Sequence, residues 1–471
     1  MRRVLTAFTA VLALSAGVAH AAPGAQNLPA GAPASEDLSL SSISWSPCPD
    51  NPEGDCGTLT VPPDWRRPGG ERVGLAIARH RATDPARRIG VLVVDPGGPG
   101  GSAAEFALSG LFSLEVRARF DIVGVDQRGT GGSSAIRCAD LMAGGPSIHP
   151  ADEAAFTALL RHNKNVLAQC RARSGPIFDH ADGATVARDL DAARRALGER
   201  KISYFGLSYG TVFGQAYAER FGRNLRAMVL DSVVDHSADL HRFVGDRAAA
   251  SDDAFREFAK WCGSSAGCAL HGQDVRAAWE AALVRAEGLP GGRQSLLDSM
   301  YFALRGPDWA YAAELITGGS LLRAQAFEPN YTSVRLASVC QDFSLRIRNF
   351  REYERLRAEE LRRSPILRGS FLGHDEATAC IGVAGAPANP PHRLDIGDAP
   401  KILVLSAKYD PTTPYAWAAN IRRQAPRNTA LLTYEGWGHI AYPRSACTRG
   451  GVDDYLLDLR TPVVSCPAVL P

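Results

Sequence analysis

A serine with a glycine two positions away on each side is the first feature of the sequence that could do chemistry. The segment Gly206-Leu207-Ser208-Tyr209-Gly210 has the pattern Gly-x-Ser-x-Gly, with a short apolar run before it and a predicted helix after it. In a strand–turn–helix corner of this kind the serine hydroxyl is exposed at the top of a sheet, and only glycine tolerates the crowding on either side. Ser208 is therefore predicted to be a nucleophile. The competing interpretation is an ordinary serine in a glycine-rich turn.

A serine nucleophile needs two partners, and the sequence offers candidates for both. The hydroxyl is weakly reactive at neutral pH, so a base must take its proton and an acid must orient that base. In sheets with such a corner the chain order is serine, acid, histidine, each on a loop after a strand. Asp410 and His439 each follow a predicted strand in that order. We therefore predict a triad of Ser208, Asp410 and His439, with Asp231 and Asp235 as rivals for the acid.

The loop after an earlier apolar run is rich in glycine. Residues 96–102 read Pro-Gly-Gly-Pro-Gly-Gly-Ser, and such a loop exposes backbone N–H groups that could bind an anion or a developing oxyanion. A phosphate-binding loop is set aside because no Gly-Lys-Ser/Thr follows. We predict an oxyanion hole formed by the N–H groups of Tyr209 and Gly98, with Gly97 and Gly100 as alternatives to Gly98.

Continuous apolar runs alternate with helical patterns around these loops. Such runs indicate strands that are buried on both faces of a parallel sheet, and their alternation with helices indicates an α/β fold. An antiparallel hairpin or meander is predicted before them, from residue 43 to residue 81. The predicted buried strands are 89–95, 120–126, 202–205, 225–235, 401–406 and 429–434.

From residue 236 to residue 396, helical periodicity replaces this alternation of strands and helices. The block is predicted to be a mainly helical cap over the carboxyl edge of the sheet, where ligands bind in open α/β folds. The core is then formed by residues 43–235 and 397–471. Arg128, in the turn after the second buried strand, is predicted to tie its loop through the guanidinium group rather than to act in catalysis.

The N-terminus has the pattern of an export signal. Two arginines precede the apolar run 4–18, and Ala19-His20-Ala21 supplies small residues at the spacing that signal peptidase requires. The run is short for a membrane span, so we predict a cleaved signal peptide at 1–21 and a secreted protein without stable membrane insertion. Residues 22–42, rich in Ala, Pro, Gly and Ser, are predicted to be a flexible leader.

Composition narrows the choice further. The formal net charge of the 471 residues is +2 and there is no basic block, so nothing indicates binding to nucleic acid. Ten cysteines in an exported chain indicate disulfides, whereas the absence of a C-x-x-C pair argues against zinc. Pairing between neighbours in the sequence is expected, although the sequence alone cannot fix it. The expected pairs are Cys48–Cys56, Cys138–Cys170, Cys262–Cys268, Cys340–Cys380 and Cys447–Cys466.

Four motifs together resemble one family. They are Asp-Pro-Gly-Gly-Pro-Gly-Gly-Ser at 95–102, Asp-Gln-Arg-Gly-Thr-Gly at 126–131, Gly-Leu-Ser-Tyr-Gly at 206–210 and Gly-Trp-Gly-His at 436–439. Across roughly residues 43–466 the chain is similar to exported actinobacterial tripeptidyl aminopeptidases, which belong with the prolyl aminopeptidases in the α/β-hydrolase superfamily. The resemblance implies an α/β-hydrolase fold and release of tripeptides or N-terminal residues from peptides with a free N-terminus. It gives Ser208, Asp410 and His439 their triad roles, and we expect a monomer with neither metal nor cofactor.

The resemblance leaves the substrate pocket open. Family members hold the substrate ammonium group with acidic side chains, often from the cap. Cys340-Gln341-Asp342 resembles an element near the end of the family's cap, so Asp342 is a candidate amine anchor, with a structural role beside the Cys340 disulfide as the alternative. The segment 380–383, Cys-Ile-Gly-Val, lacks the tryptophan that the family often has there. Tripeptide release and single-residue release therefore both stay possible.

Two other functions compete with an exopeptidase. A secreted carboxylesterase or lipase would use the same triad, and fold alone does not choose between them. A binding protein on an inactive hydrolase scaffold is the third hypothesis, and the intact triad and glycine pattern argue against it. The glycine loop and the large cap favour the peptidase.

Overall fold

A ten-stranded sheet forms the centre of the molecule. The computed structural model describes residues 42–288, 291–319 and 329–470. The predicted signal peptide at 1–21, and all but the last residue of the leader predicted at 22–42, lie outside the described residues. The strands, in chain order, are β1 (Ser46–Cys48), β2 (Asn51–Val61), β3 (Val73–His80), β4 (Gly90–Asp95), β5 (Phe120–Val125), β6 (Ile202–Leu207), β7 (Leu225–Asp231), β8 (Ile402–Tyr409), β9 (Thr429–Trp437) and β10 (Ser465–Cys466).

The topology of the sheet is mostly parallel. Its order is β1-β2-β3-β5-β4-β6-β7-β8-β9-β10. The pairs β1–β2, β2–β3 and β3–β5 are antiparallel, and every other neighbouring pair is parallel. This arrangement confirms the predicted fold class, including the antiparallel opening. Because the long parallel strands run the same way, the loops after β4, β6, β7, β8 and β9 meet at one edge of the sheet.

Helices cover both faces of the sheet and fill the interval between β7 and β8, where the described residues contain no strand. The helices are α1 (Ala103–Ala107), α2 (Leu114–Arg119), α3 (Ala139–Met142), α4 (Glu153–Ser174), α5 (Gly183–Ala196), α6 (Gly210–Phe221), α7 (Leu240–Ser264), α8 (Val275–Ala286), α9 (Gly292–Arg305), α10 (Trp309–Thr317), α11 (Pro329–Asp342), α12 (Phe350–Arg363), α13 (Phe371–Ala379), α14 (Tyr415–Gln424) and α15 (Ala446–Asp458). We refer to the helices α7–α13 as the cap.

Strand β4 shows why the apolar runs have no polar gaps. Val91 and Val93 pack into the core on one side of the sheet, together with side chains of α5 and α6. Leu92 and Val94 pack into the core on the other side, together with side chains of α2 and α15. Alternate residues of a strand point to opposite faces, so both faces must be apolar. The cap has its own apolar core, built around residues such as Phe255 and Trp279.

The structure corrects one local prediction and confirms another. The strand predicted at 225–235 ends at Asp231 instead, because Ser232 has a positive φ of 56° that breaks the extended backbone. Arg128 has the predicted structural role. Its fully buried guanidinium donates to Asp189 at 2.7 and 2.8 Å and to the carbonyl oxygens of Pro62 and Pro63, which ties its loop to α5 and to the segment after β2.

The five disulfides confirm the expected pairing. They join Cys48 to Cys56, Cys138 to Cys170, Cys262 to Cys268, Cys340 to Cys380 and Cys447 to Cys466. Such bonds persist in oxidising compartments outside the cytosol. None of the helices in the described ranges combines the length and hydrophobicity that a transmembrane segment requires.

The two cap disulfides should differ in their contribution to stability. Cys340–Cys380 closes a loop with a sequence separation of 40, and Cys262–Cys268 one of only 6. If restriction of the unfolded chain dominates, replacing both cysteines of a pair by alanine should cost about 4 kcal/mol for the longer loop and about 2 kcal/mol for the shorter. Denaturant unfolding of the two double variants measures this. Equal losses, or a larger loss for the short loop, would contradict it.

Candidate active site

Ser208 lies at the corner between β6 and α6, in strained backbone. Its φ is +53°, in the left-handed region that residues other than glycine rarely adopt. The N–H of Ser208 donates to the carbonyl oxygen of Asp231 at 3.0 Å, and the carbonyl oxygen of Ser208 accepts from the N–H of Thr211 at 3.0 Å. These bonds hold the corner against the end of β7, so that the strain is maintained by the surrounding structure.

The two glycines of the pattern are required by close approach. A Cβ atom on Gly206 would lie 2.7 Å from the carbonyl oxygen of Gly210, and one on Gly210 would lie 2.7 Å from Oδ1 of Asp95. Neither position has room for a side chain, because both contacts involve the backbone or a buried carboxylate. The predicted reason for glycine on either side of Ser208 is confirmed.

His439 and Asp410 come together although 29 residues separate them. Nδ1 of His439 lies 2.9 Å from Oδ2 of Asp410, and both side chains are buried. The Asp410 carboxylate also accepts the N–H groups of Thr412 and Thr413, at 2.8 and 3.0 Å, and the hydroxyl of Thr413 at 2.8 Å. An aspartate that bonds the backbone two and three residues on forms an Asx turn. The loop after β8 therefore fixes the direction of the carboxylate toward the imidazole.

The electrostatics of this pair suit an acid and a base. Burial raises the pKa of Asp410, but the charge and hydrogen bond of His439 and the hydrogen bonds of Thr413 outweigh it and leave the pKa below its usual value. Burial lowers the pKa of His439, while Asp410 opposes that shift. At neutral pH the arrangement thus favours an ionised Asp410 and a neutral His439, which is the state that a general base requires.

The predicted triad would join Nε2 of His439 to the hydroxyl of Ser208, and neither atom has a hydrogen-bond partner among the described residues. Nε2 of His439 is buried and has no hydrogen-bond partner within the described chain. The hydroxyl of Ser208 likewise makes no hydrogen bond to any described residue. A buried ring nitrogen without a partner is uncommon and calls for an explanation. Transfer of the Ser208 proton to this nitrogen during catalysis would supply one.

Asp231 and Asp235, the rivals for the acid, have other partners. The carboxylate of Asp231 accepts the N–H groups of Ala441 and Tyr442 at 2.8–3.1 Å, just after His439 in the chain. Asp235 binds Arg242 at 2.8 Å and belongs to a separate network. The structure thus places Asp231 behind the histidine loop rather than beside the imidazole.

The glycine loop after β4 lies against the corner that carries Ser208. A Cβ atom on Gly97, whose φ is +79°, would lie 2.4 Å from the carbonyl oxygen of Leu207 and 2.7 Å from the nitrogen of Tyr209. The N–H of Gly97 donates to Asp95 at 2.8 Å and is therefore engaged. The N–H groups of Gly98 and Tyr209 have no partner among the described residues. Of the three glycines considered, this argues against Gly97 as the donor, and Gly98 stays the prediction with Gly100 as its alternative.

Asp342 lies directly behind the corner. Its carboxylate accepts the hydroxyl of Tyr209, the N–H of Gly183 and the side-chain amide of Asn389, each at 2.8 Å. The residue is fully buried, and burial raises the pKa of Asp342 to about 7. These donors occupy the carboxylate and solvent does not reach it. The geometry therefore supports the structural alternative over an amine anchor, since Asp342 ties α11 to the ring of Tyr209.

Several residues that shape the site were not predicted from the sequence. Thr413 places its hydroxyl 2.8 Å from Asp410 and 3.3 Å from Nδ1 of His439. The pattern Asp-Pro-Thr-Thr could have indicated this Asx turn. The N–H of His439 donates to the carbonyl oxygen of Arg305 at 2.9 Å, a contact between distant residues that no local pattern reveals. In the described part of the chain, no cluster of three or more His, Cys, Asp or Glu side chains could hold a metal ion.

Comparisons with known proteins give consistent results. The α/β-hydrolase fold family matches residues 90–445. The serine protease Hip1 of Mycobacterium tuberculosis is 31% identical over 473 residues, covering 89% of this chain and 89% of that protein. A tripeptidyl aminopeptidase of Streptomyces lividans is 29% identical over 448 residues, covering 86% and 82% of the two chains. Carboxylesterase B of Mycobacterium tuberculosis is 30% identical over 457 residues, covering 87% and 85%.

Replacing Ser208 should separate chemistry from folding. The variant Ser208→Ala loses the nucleophile but no hydrogen bond to a described residue, so we expect kcat/KM to fall by about 10⁴-fold or more with little change in thermal unfolding. Hydrolysis of p-nitrophenyl acetate and calorimetry measure the two effects. The matched control is Ser203→Ala, which removes a buried β6 hydroxyl without a partner and should leave activity unchanged. Substantial activity in Ser208→Ala would show that the reaction occurs elsewhere.

Proposed function

The chain belongs to the α/β-hydrolase fold family and is a serine hydrolase, and on that premise we propose that it is an exported aminopeptidase. It would release tripeptides or single residues from peptides with a free N-terminus. Two of the relatives described above are named as peptidases and one as a carboxylesterase, so kinship alone does not decide the substrate. The observation that favours the peptidase is a carboxylate without a cationic partner in a cavity of the cap.

The proposed reaction uses the triad in two steps. Oγ of Ser208 attacks the carbonyl carbon of the scissile peptide bond while its proton passes to Nε2 of His439. The N–H groups of Tyr209 and Gly98 bind the oxyanion, and Asp410 stabilises the imidazolium through Nδ1. As the C–N bond breaks, His439 returns the proton to the leaving amine. Water then attacks the acyl-enzyme by the same route, which releases the N-terminal product and restores the serine.

A cavity of about 70 Å³ lies between the cap and the segment before α4, and none of the triad residues lines it. A cavity needs roughly 10–15 Å³ of this kind of volume to hold one water, so this one has room for a polar group of a ligand. Its walls include Asp298 and Tyr301 of α9, His149 from the segment before α4, and Phe371 of α13. The hydroxyl of Tyr301 lies 2.8 Å from that of Thr412, which connects the cavity to the loop that carries Asp410.

Asp298 is the unmatched charge in this cavity. The two arginines of the lining each have a carboxylate partner, Arg357 with Glu360 at 3.3 Å and Arg368 with Glu280 at 2.8 Å, while Nε of Arg368 is buried without a partner among the described residues. Asp298 accepts only from Gln294 within the described residues, at 2.7 Å, and burial raises the pKa of Asp298 to about 6. At neutral pH the group is mostly ionised, and a partly buried carboxylate of this kind favours a cationic ligand.

His149 strengthens the preference for an ammonium group. Burial, with the charges of His374 and Arg357, lowers the pKa of His149 to about 3, so its ring is neutral. Its Nε2 atom is buried without a partner among the described residues and can accept a hydrogen bond. The cavity therefore offers the Asp298 carboxylate to a group that has N–H donors and a positive charge, and Nε2 of His149 is a second acceptor in the tautomer that is protonated at Nδ1. The free amino terminus of a peptide is such a group.

A carboxylesterase is the second candidate function, because a relative with that name covers most of the chain. Simple esters carry no ammonium group and would leave Asp298 unpaired. Export is proposed for either function. The five disulfides fit a protein that folds outside the cytosol, and the apolar run 4–18 fits a signal peptide.

Peptides with free and blocked N-termini distinguish the two functions. We expect Ala-Ala-Pro- or Pro-linked fluorogenic reporters with a free amino group to be cleaved at least tenfold faster than their acetylated forms, because acetylation removes the charge that the cavity would bind. A faster tripeptide reporter would indicate tripeptidyl release, and a faster proline reporter single-residue release. Equal rates for free and acetylated substrates would exclude an exopeptidase and leave an esterase or an endopeptidase.

The variant Asp298→Asn tests the proposed ammonium site. Loss of a charged hydrogen bond costs about 1.5–3 kcal/mol, so KM for free peptides should rise roughly tenfold to a hundredfold while hydrolysis of p-nitrophenyl acetate stays unchanged. Asp253→Asn is a matched control, since Asp253 is an exposed cap aspartate paired with Arg256, and its KM should not change. An unchanged KM in Asp298→Asn would place the ammonium group elsewhere.

A further inference from the structure

Arg247 of α7 is a buried cation that contacts the loop carrying Asp410. Its Nε donates to the carbonyl oxygen of Thr412 at 3.0 Å, and its Nη1 donates to Glu376 of α13 at 2.6 Å. The side chains of Arg247 and Glu376 are only 4% and 3% exposed. One guanidinium group therefore joins two cap helices to the loop after β8.

Aromatic rings hold this guanidinium in place. Its central carbon lies 4.2 Å from the ring centroid of Phe243, one turn earlier on α7, and 4.9 Å from that of Trp417 on α14. A guanidinium packed on aromatic faces has a fixed plane. The directions of its N–H groups toward Thr412 and Glu376 are thus determined by the core and not only by the ion pair.

Thr412 transmits this position to the acid. Its N–H donates to Oδ1 of Asp410 at 2.8 Å, while its carbonyl oxygen accepts from Arg247. Its hydroxyl lies 2.8 Å from that of Tyr301 on α9, so a second cap residue holds the same loop. Movement of Thr412 would shift the Asx turn that directs the Asp410 carboxylate toward His439.

We propose that Arg247 is a positioning residue. It holds the loop that carries Asp410 so that the carboxylate faces His439, and the geometry of the triad therefore depends on the cap. This inference depends on the proposed roles of Asp410 and His439, but not on whether the substrate is a peptide or an ester.

If Arg247 acted only as the ion-pair partner of Glu376, a positive charge at this position would be sufficient. Lysine can keep the charge next to Glu376, but its ammonium is a point charge on a flexible stem and lacks the planar fork. It cannot reproduce two directed bonds, one to a carboxylate and one to a backbone carbonyl, from a plane packed on two rings. Arg247→Lys therefore separates the role in charge pairing from the role in positioning.

The pH dependence of the reaction reports on the position of Asp410. The largest charge effects on the pKa of His439 come from Asp410, Arg305 of α9 and Arg444 after β9. Among these, only Asp410 raises the pKa of His439, and the substitution at Arg247 removes none of them. If the carboxylate moves away from the imidazole, the pKa of His439 falls, and the acidic limb of kcat/KM moves to lower pH.

The experiment compares the wild type with Arg247→Lys in hydrolysis of p-nitrophenyl acetate across the pH range. We expect kcat to fall at least tenfold, the acidic limb to move down by about half a pH unit or more, and KM to change little. A wild-type kcat and pH profile in Arg247→Lys would overturn the proposal and leave Arg247 as an ion-pair partner. Because this ester has no amino group, failure of the exopeptidase proposal does not affect the result.

Two further variants keep the test decisive. Arg128→Lys is the matched control, since Arg128 is a fully buried arginine that binds Asp189 and two backbone carbonyls. It should lose stability without moving the acidic limb. If Arg247→Lys does not fold, Tyr301→Phe deletes the other cap contact to Thr412 while keeping the ring, and it should produce a smaller shift of the limb in the same direction. An unmoved limb in Tyr301→Phe would then overturn the proposal.

Discussion

Asp231 makes the contacts on which the assembly of the site depends. Its backbone carbonyl oxygen accepts the N–H of Ser208, and its carboxylate accepts the N–H groups of Ala441 and Tyr442. One residue at the end of β7 therefore holds both the corner with Ser208 and the loop with His439. Buried donors and acceptors must be satisfied, so neither loop can move without exposing or orphaning the polar groups of the other.

The cap not only covers the site but also forms hydrogen bonds with the segments that carry its residues. The N–H of His439 donates to the carbonyl oxygen of Arg305 at the end of α9, and the hydroxyl of Tyr209 donates to Asp342 at the end of α11. A cap that were only a lid would need no such contacts behind His439 and Tyr209. Here the inserted helices contact the loop of His439, the loop of Asp410 and the corner at Ser208, so the geometry of the candidate site depends on folding of the insertion.

The features that depend on local sequence could be predicted, whereas contacts between residues far apart in the chain could not. The corner at Ser208 is a local pattern, and the buried parallel strands are local runs, so both were readable from the sequence. Disulfide pairing between sequence neighbours was also predictable because short loops close easily. The hydrogen bonds from the N–H groups of residues 441 and 442 to the carboxylate of Asp231 join groups that are more than 200 residues apart in the chain. No spacing reveals such a contact, and the same limit explains Asp342, whose motif indicated nearness to the site but not which donors would occupy its oxygens.

Electrostatics supports the predicted role of Asp410 as the acid through its contact with His439. Asp95, Asp126, Asp231 and Asp410 all lie at the carboxyl ends of strands and are nearly or fully buried. Burial raises the pKa values of Asp95 and Asp231 to about 7 and that of Asp126 to about 6, although each accepts backbone N–H groups. In Asp410 the neighbouring imidazole reverses that effect, and the pKa lies below its usual value. An acid that stabilises an imidazolium must remain ionised while it is buried, and among these four only the aspartate that faces His439 has a depressed pKa.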